Sequence, residues 1–314
     1  MLGTSKLSPA QKRDLKNGLL FVAPWIVGLG GFLLYPILAS FYFSFCEYSV
    51  LQRPEWIGLG NYIDLATDEV FWKALANTLI YAAFALPLGL VVSLGLAVLL
   101  NTGVRGMTVF RTIFFLPALV PMVAMAVIWL WIFNGDYGVL NYFLKWPLGL
   151  ANRLLQALGM NAVSLPAWLA DPMWSKPALV VMSTWGVGHA IVIYLAGLQD
   201  VPEQLYEAAE LDGATWFHKL RHVTIPMISP IILFNLIMGI IGTLQLFAVP
   251  YVISPRGEPA RSIYFLTMYL YDSAFSYLRM GYASAMAWIL FLIIFALTLI
   301  ALRVSARRVY YGGA

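Results

Sequence analysis

The stretch EAAELDGATWFHKLRHVTIP, Glu207 to Pro226, is one compact, mostly polar segment between two apolar runs of a chain that otherwise reads as membrane. Of 314 residues, 61% are hydrophobic and 11% charged, and mean hydropathy is +0.80. A water-soluble domain does not bury that much apolar surface, whereas lipid solvates it directly. A helical membrane bundle of this length is normally one unit. The net charge of +4 is of the kind Lys and Arg on the cytoplasmic side of a membrane produce, and it points to no nucleic acid. With Cys46 as the one cysteine, no internal disulfide forms and no cysteine metal site is expected.

Outward from that segment the chain divides into six apolar runs: Gly18–Phe45, Ala74–Leu100, Thr112–Phe133, Pro177–Leu198, Ile225–Ile253 and Gly281–Leu302. Each supplies the roughly 20 residues a spanning helix needs. Lys12, Arg13 and Lys16 before the first run imitate a signal peptide, but the run is too long for one and lacks a small-residue cleavage site. Gly28, Gly30, Pro36, Pro87, Pro117, Pro121 and Pro230 within the runs suit membrane helices, where neighbours satisfy freed backbone groups. Six spans put both termini on one side. Of the 19 Lys and Arg, that side holds eleven (Lys6, Lys12, Arg13, Lys16, Arg105, Arg111, Lys219, Arg221, Arg303, Arg307 and Arg308) and the other eight, so both termini and Glu207–Pro226 are expected in the cytoplasm. The resulting division is a cytoplasmic N-terminal segment (1–17), a transmembrane domain (18–305, with a cytoplasmic loop at about 200–224) and a cytoplasmic tail (306–314). Residues 46–73 and 135–176 form long outer loops carrying Trp56, Trp146, Trp168 and Trp174. These tryptophans fit either an aromatic belt or a docking surface for an external partner, and Asn141 to Met160 is patterned to lie flat at the interface.

The cores of the six runs contain no Asp, Glu, Lys or Arg. Ion-coupled carriers place such groups at membrane depth, so their absence argues against that class. His189, beside Gly186 and Gly188, is the one ionisable residue there, either a packing residue or part of a cavity wall. A substrate would then be held by neutral polar and aromatic groups, as sugars are. The chain has no GxxxxGK[ST], GxSxG or HExxH motif, so neither ATP hydrolysis nor hydrolase chemistry is expected of it. His218 and His222 have the spacing of two ligands on a helix face. No further ligand set accompanies them, and no metal site is expected.

Within Glu207–Pro226 and its lead-in, Asp200 is placed to cap a helix, Pro202 to fill its first turn and Glu203 to face the dipole. That helix runs to about Leu211, where Gly213 supplies the left-handed stop. A second short helix is expected from Thr215, with Trp216 and Phe217 rooting it in the membrane-spanning part. Composition alone makes this an amphipathic connector between spans.

The spacing says more. Glu207-Ala208-Ala209, three residues, Gly213, nine residues, then Val223-Thr224-Ile225-Pro226 resembles the EAA loop of permease subunits of ABC importers, with Val223 and Ile225 as conservative departures. FRTIFFLPALVPMVAMAVIWLWIFNGDYGVLN (Phe110 to Asn141) and YDSAFSYLRMGYASAMAWILF (Tyr271 to Phe291) are similar to the third-span region and the last-span entrance of carbohydrate-type permeases, nearest the maltose-type, first-of-pair subgroup. SPRGEPARS (Ser254 to Ser262) departs from the Gly-Gly-Pro often found at that outer loop, and the large outer domain of the maltose permease is absent.

The resemblance implies an all-α integral membrane protein with the six-span type I permease fold and a cytoplasmic coupling helix, in a bacterial plasma (inner) membrane. The implied complex contains a second homologous permease, two ATPase subunits that bind ATP and Mg, and an extracytoplasmic binding protein that delivers sugar. This chain itself carries no cofactor and no catalysis. Glu207, Ala208, Ala209, Glu210, Asp212, Gly213, Val223, Ile225 and Pro226 would couple to the ATPase. Trp185, Gly186, His189, Asn235, Gly239, Thr243 and Gln245 would line the pathway, with Asn235, Gly239, Gly242 and Leu246 on one helix face and each glycine equally suited to helix packing. A glycerol-3-phosphate or other polar-solute importer of the same family, an ion-coupled carrier and a membrane scaffold are the competing readings.

Overall fold

The structure, a computed structural model, describes residues 8–102 and 104–306. Lys6, Arg307 and Arg308, with residues 309–314 of the expected tail, lie outside the described residues. In chain order the helices are α1 (Pro9–Phe43), α2 (Gly60–Thr67), α3 (Glu69–Leu100), α4 (Met107–Phe115), α5 (Met122–Ile132), α6 (Val139–Ala157), α7 (Pro172–Trp185), α8 (Gly188–Gln199), α9 (Glu203–Leu211), α10 (Trp216–Lys219), α11 (Ser229–Leu244), α12 (Ala248–Ile253), α13 (Leu266–Tyr271) and α14 (Met280–Ser305). A two-residue antiparallel pair, Cys46–Glu47 with Glu55–Trp56, is the strand structure among the described residues.

Local chemistry sets the helix ends. Ser8 and Gln11 form a reciprocal capping box ahead of Pro9, so α1 starts well before the apolar run. Asp68 caps α3 and Asp171 caps α7, each side chain accepting a backbone N–H at 2.8 Å and each with good acceptor geometry. Two π-helical turns, Leu29–Leu34 and Leu220–Thr224, sit directly ahead of Pro36 and Pro226; a widened turn there accommodates the missing proline donor.

Among the described residues, α1, α3, α11 with α12, and α14 are long and apolar enough to cross a membrane, and up to six spans result if each of two bent pairs is one. At 1.5 Å per residue the 32 residues of α3 reach about 48 Å, beyond the roughly 30 Å of a hydrocarbon core. The third expected span departs from a simple helix. Its two halves meet at 100° because Val120 is extended ahead of Pro121, which then opens α5, as a residue preceding proline prefers. The fourth breaks less sharply, by 46° between α7 and α8.

The described residues form two compact units, one drawn from residues up to 67 and 272–288, the other from 68–271 and from 289 onward. In the first, buried Asn61 donates to the Ser44 and Cys46 carbonyls and thereby fixes the turn out of α1. The second is organised on α3, against which α7, α8, α11 and α13 pack. One apolar cluster of that unit joins Ala97 and Leu100 of α3, Ile191, Tyr194, Leu195 and Leu198 of α8, and Ile228 just ahead of α11.

Candidate functional site

Two places in the second unit collect the residues singled out above. The first is the polar segment. Pro202, not Asp200, caps α9; Asp200 instead ends α8 in a helical conformation. A residue still in the right-handed helical region cannot present the extended backbone an N-cap requires. At the far end Gly213 is left-handed (φ 74°), its N–H donates to the Glu210 carbonyl, and the Ala214 N–H donates to the Ala209 carbonyl, both at 2.9 Å. These paired bonds are the complete glycine-terminated helix stop. Thr215 then caps α10, accepting from the His218 N–H at 3.5 Å.

Two contacts clasp the segment shut. Lys219 Nζ lies 2.6 Å from Glu210 Oε1 across the turn. The Tyr206 hydroxyl meets the Thr224 hydroxyl at 3.0 Å, and Thr224 is buried. From α10 the backbone runs helically through Leu220–Thr224 and Ile225–Met227 to Ile228, which sits in the apolar cluster. The anchor therefore differs from the expected one. Trp216 and Phe217 are 63% and 59% exposed and Leu211 is 90% exposed, whereas Thr224 and Ile228 are buried. The two aromatics project from the one-turn helix α10. Tyr206, Lys219 and Thr224 carried no recognisable signal, because their pairing depends on the angle between α9 and α10. His218 and His222 stack with ring centroids 6.1 Å apart. Among the described residues no group of three or more His, Cys, Asp or Glu is placed to hold a metal ion.

The second place is a cleft of about 390 Å³ between α3, α8 and α11. Gly186, His189, Asn235, Gly239 and Thr243 line it together. Trp185 and Gln245 do not. Trp185 packs edge-on to Trp129, with ring centroids 6.1 Å apart, and Gln245 is the residue that ends α11. Gly242 and Leu246 also stand off this wall; Leu246 lies past the end of α11 and lines a second, apolar cavity behind His189. Sequence reasoning missed the α3 wall. Ala85, Gly89 and Ser93 line the cleft at four-residue spacing, a stripe of small residues legible in the sequence. Gly239 serves both expected roles, since it lines the cleft and a Cβ there would lie 2.4 Å from Leu86 Cδ1.

The chemistry of the cleft is neutral. Ser93 Oγ donates to the Gly89 carbonyl at 2.6 Å, Asn235 Nδ2 to the Ile231 carbonyl at 3.0 Å, and Thr243 Oγ1 to the Gly239 carbonyl at 2.7 Å. Each bonds back onto its own helix, leaving the Asn235 Oδ1 and the hydroxyl lone pairs as acceptors. His189 is the one ionisable lining residue, held edge-on to Phe115 with ring centroids 5.7 Å apart.

Apolar helices long enough to cross a membrane, a neutral cleft between them and a clasped polar segment between two spans define a multi-pass membrane protein of the permease type. Residues 85–310 match the family described as "Binding-protein-dependent transport system inner membrane component", and the chain belongs to that family. It is 36% identical to "Probable ABC transporter permease protein YesP" of Bacillus subtilis (strain 168), over 98% of this chain and 96% of the relative. It is 34% identical to the lactose transport system permease protein LacF of Rhizobium radiobacter, over 98% of this chain and all of the relative. Its fold matches a chain in the crystal structure of a bacterial alginate ABC transporter in complex with an alginate pentasaccharide-bound periplasmic protein, with TM-score 0.76, 24% identity and coverage of 94% and 96%.

Proposed function

We propose that this chain is a non-catalytic permease subunit of an ATP-driven importer of di- or oligosaccharides, and that it couples ATP hydrolysis by partner subunits to opening of its own cleft. In this reading both termini and α9 lie in the cytoplasm. Two ATPase subunits hold ATP and Mg, a second homologous permease completes the pathway, and an extracytoplasmic binding protein delivers the sugar. The clasped segment Glu203–Thr224 is the single observation that carries it. Its exposed Leu211, Trp216 and Phe217, beside the carboxylates of Glu207 and Glu210, make a small amphipathic knob with the composition of a protein contact. Ala208 and Ala209 let a partner approach the backbone. When the ATPases close, the knob moves with them, and the helical path through Val223, Ile225 and Pro226 transmits the shift to Ile228 and so to α11. Binding energy drives this only through contacts that differ between the two states.

The substrate class rests on the cleft and on the lactose-named relative. A largely apolar cleft with a few hydroxyls, one amide and one imidazole set into it suits the apolar ring faces and the hydroxyls of a neutral sugar. A phosphate-bearing solute would call for a Lys or Arg in the wall, and none lines it. The test is purification of the assembled transporter with Glu207→Lys and Gly213→Pro variants. Both are expected to insert normally yet lose ATPase attachment or lose stimulation by the loaded binding protein. Wild-type attachment and uptake in both variants would remove the segment from coupling.

A further inference from the structure

The end of α3 remote from Leu100 gathers cations from three distant parts of the chain. Lys73 lies in the first turns of α3, Lys176 in those of α7, and Arg261 in the loop after α12. Buried hydrogen bonds bring them together. Asn77, one turn beyond Lys73, donates from Nδ2 to the carbonyls of Arg261 and Tyr264 at 2.7 and 3.0 Å. The hydroxyls of Ser175 and Ser262, neighbours of Lys176 and Arg261, meet at 2.7 Å in full burial. Thr78 Oγ1 accepts from the Leu266 N–H at 2.9 Å. The loop so fastened holds Ala260 and Arg261 in left-handed conformations (φ 51° and 53°). Such backbone persists in non-glycine residues only where surrounding contacts over-determine it.

Among the described residues the three side chains form no direct ion pair. Lys73 is near enough to Lys176 to repel it. Glu69 stands one helical turn before Lys73 and Glu258 three residues before Arg261, but neither forms an ion pair among the described residues; Asp171 caps α7, while Asp68 caps α3 and accepts from the Tyr269 hydroxyl. Lys219 and Arg279, by contrast, have Glu210 and Asp64 as partners. Cations carried on a fixed backbone and left without an ion pair inside the chain suit negative charge arriving from another molecule. The cleft is too far for a small sugar there to be that molecule, since Lys73 precedes Ala85, the first α3 residue of the cleft, by twelve residues, about 18 Å of helix.

We propose that Lys73, Lys176 and Arg261 anchor carboxylates on the docking face of the substrate-binding protein. This rests on the proposed function, which puts that end of α3 outside the cell and supplies the partner. A fixed three-point arrangement that includes a guanidinium fork favours a protein surface, with carboxylates at set positions, over mobile lipid phosphates.

The experiment uses the full transporter in nanodiscs of phosphatidylcholine and its cognate binding protein loaded with sugar. Replacing all three residues by Gln is expected to weaken binding roughly tenfold, the sum of three partly exposed pairs, and to flatten the salt dependence. ATPase activity without binding protein is expected to stay unchanged. Lys73→Arg with Lys176→Arg is expected to keep wild-type affinity. Carbodiimide, which joins an amine to a carboxylate at zero length, is expected to cross-link Lys73 or Lys176 to the binding protein. Unaltered affinity and salt slope in the triple variant overturn the proposal, as does an effect that appears only in nanodiscs with anionic lipid. If the wild-type transporter binds no loaded binding protein, the functional reading fails and the anchor fails with it.

Discussion

The clasped segment and the cleft are built from similar polar residues used in opposite ways. In the segment they bond across elements: Tyr206 of α9 to Thr224, and Glu210 of α9 to Lys219 of α10. In the cleft Ser93, Asn235 and Thr243 bond back onto their own helices. The first arrangement makes two short helices and their turn move as one body. The second satisfies each polar group without tying α3 to α11, so the walls can part at no cost in hydrogen bonds. In the proposed function the segment is a lever, which has to be stiff, and the cleft a gate, which has to be unpinned; the same side-chain chemistry yields either, depending on whether its partner lies on the same helix.

The contrast can be broken most severely at the turn. Gly213→Val places a β-branched residue at φ 74° and costs on the order of 1–3 kcal/mol of local strain. Sugar uptake is expected to fall at least tenfold while membrane insertion persists, measured as uptake per correctly inserted transporter. Next in size is the reverse manipulation, pinning the gate. Gly239→Ala puts a methyl 2.4 Å from Leu86 Cδ1, the end of a flexible side chain that must shift its rotamer at a cost of about 0.5–1.5 kcal/mol. Thermal stability of the purified complex is expected to drop, and Leu86→Ala in the same chain to restore it. Without that restoration, Gly239 is not a packing site.

Smaller effects sharpen the comparison. Tyr206→Phe deletes the bond to buried Thr224 and is expected to cost about 1 kcal/mol, read as fewer sugars moved per ATP with ATPase attachment intact. His189→Leu or Asn235→Leu is expected to alter substrate affinity or choice without changing that ratio, because neither residue belongs to the lever. The smallest effect is expected from Glu210→Gln. The Glu210 carboxylate is mostly exposed, so its pair with Lys219 is worth roughly 0–1 kcal/mol. Any loss of coupling should shrink further as salt rises, since ions screen exposed pairs.

Much of this was legible along the chain because it depends on near neighbours. Six apolar runs, empty of charge in their cores, follow from residue type alone. The stop of α9 follows from Gly213, because only a residue free of a Cβ enters the left-handed region without strain. The family resemblance rests on spacing within that same stretch. Local reasoning erred where two local signals competed. Asp200 and Pro202 both qualify as helix starters, and only the path out of α8 chooses between them. Pro121 suits either a kinked span or a break, and the 100° bend depends on what the two halves pack against.

The remaining features join residues far apart in sequence, and no period or motif encodes them. Which five of seven expected pathway residues share a wall depends on where α11 ends and how α3 lies against it. Trp216 and Phe217 are exposed while Thr224 and Ile228 hold the base of the segment. Lys73, Lys176 and Arg261 form one group only because Asn77 and the Ser175–Ser262 contact close loops of up to 187 residues. Hydropathy and turn chemistry act over a few residues and so select the helices and their caps. Contacts across such separations become favourable only once those helices pack, so the packing alone decides the clasp, the cleft and the cationic end.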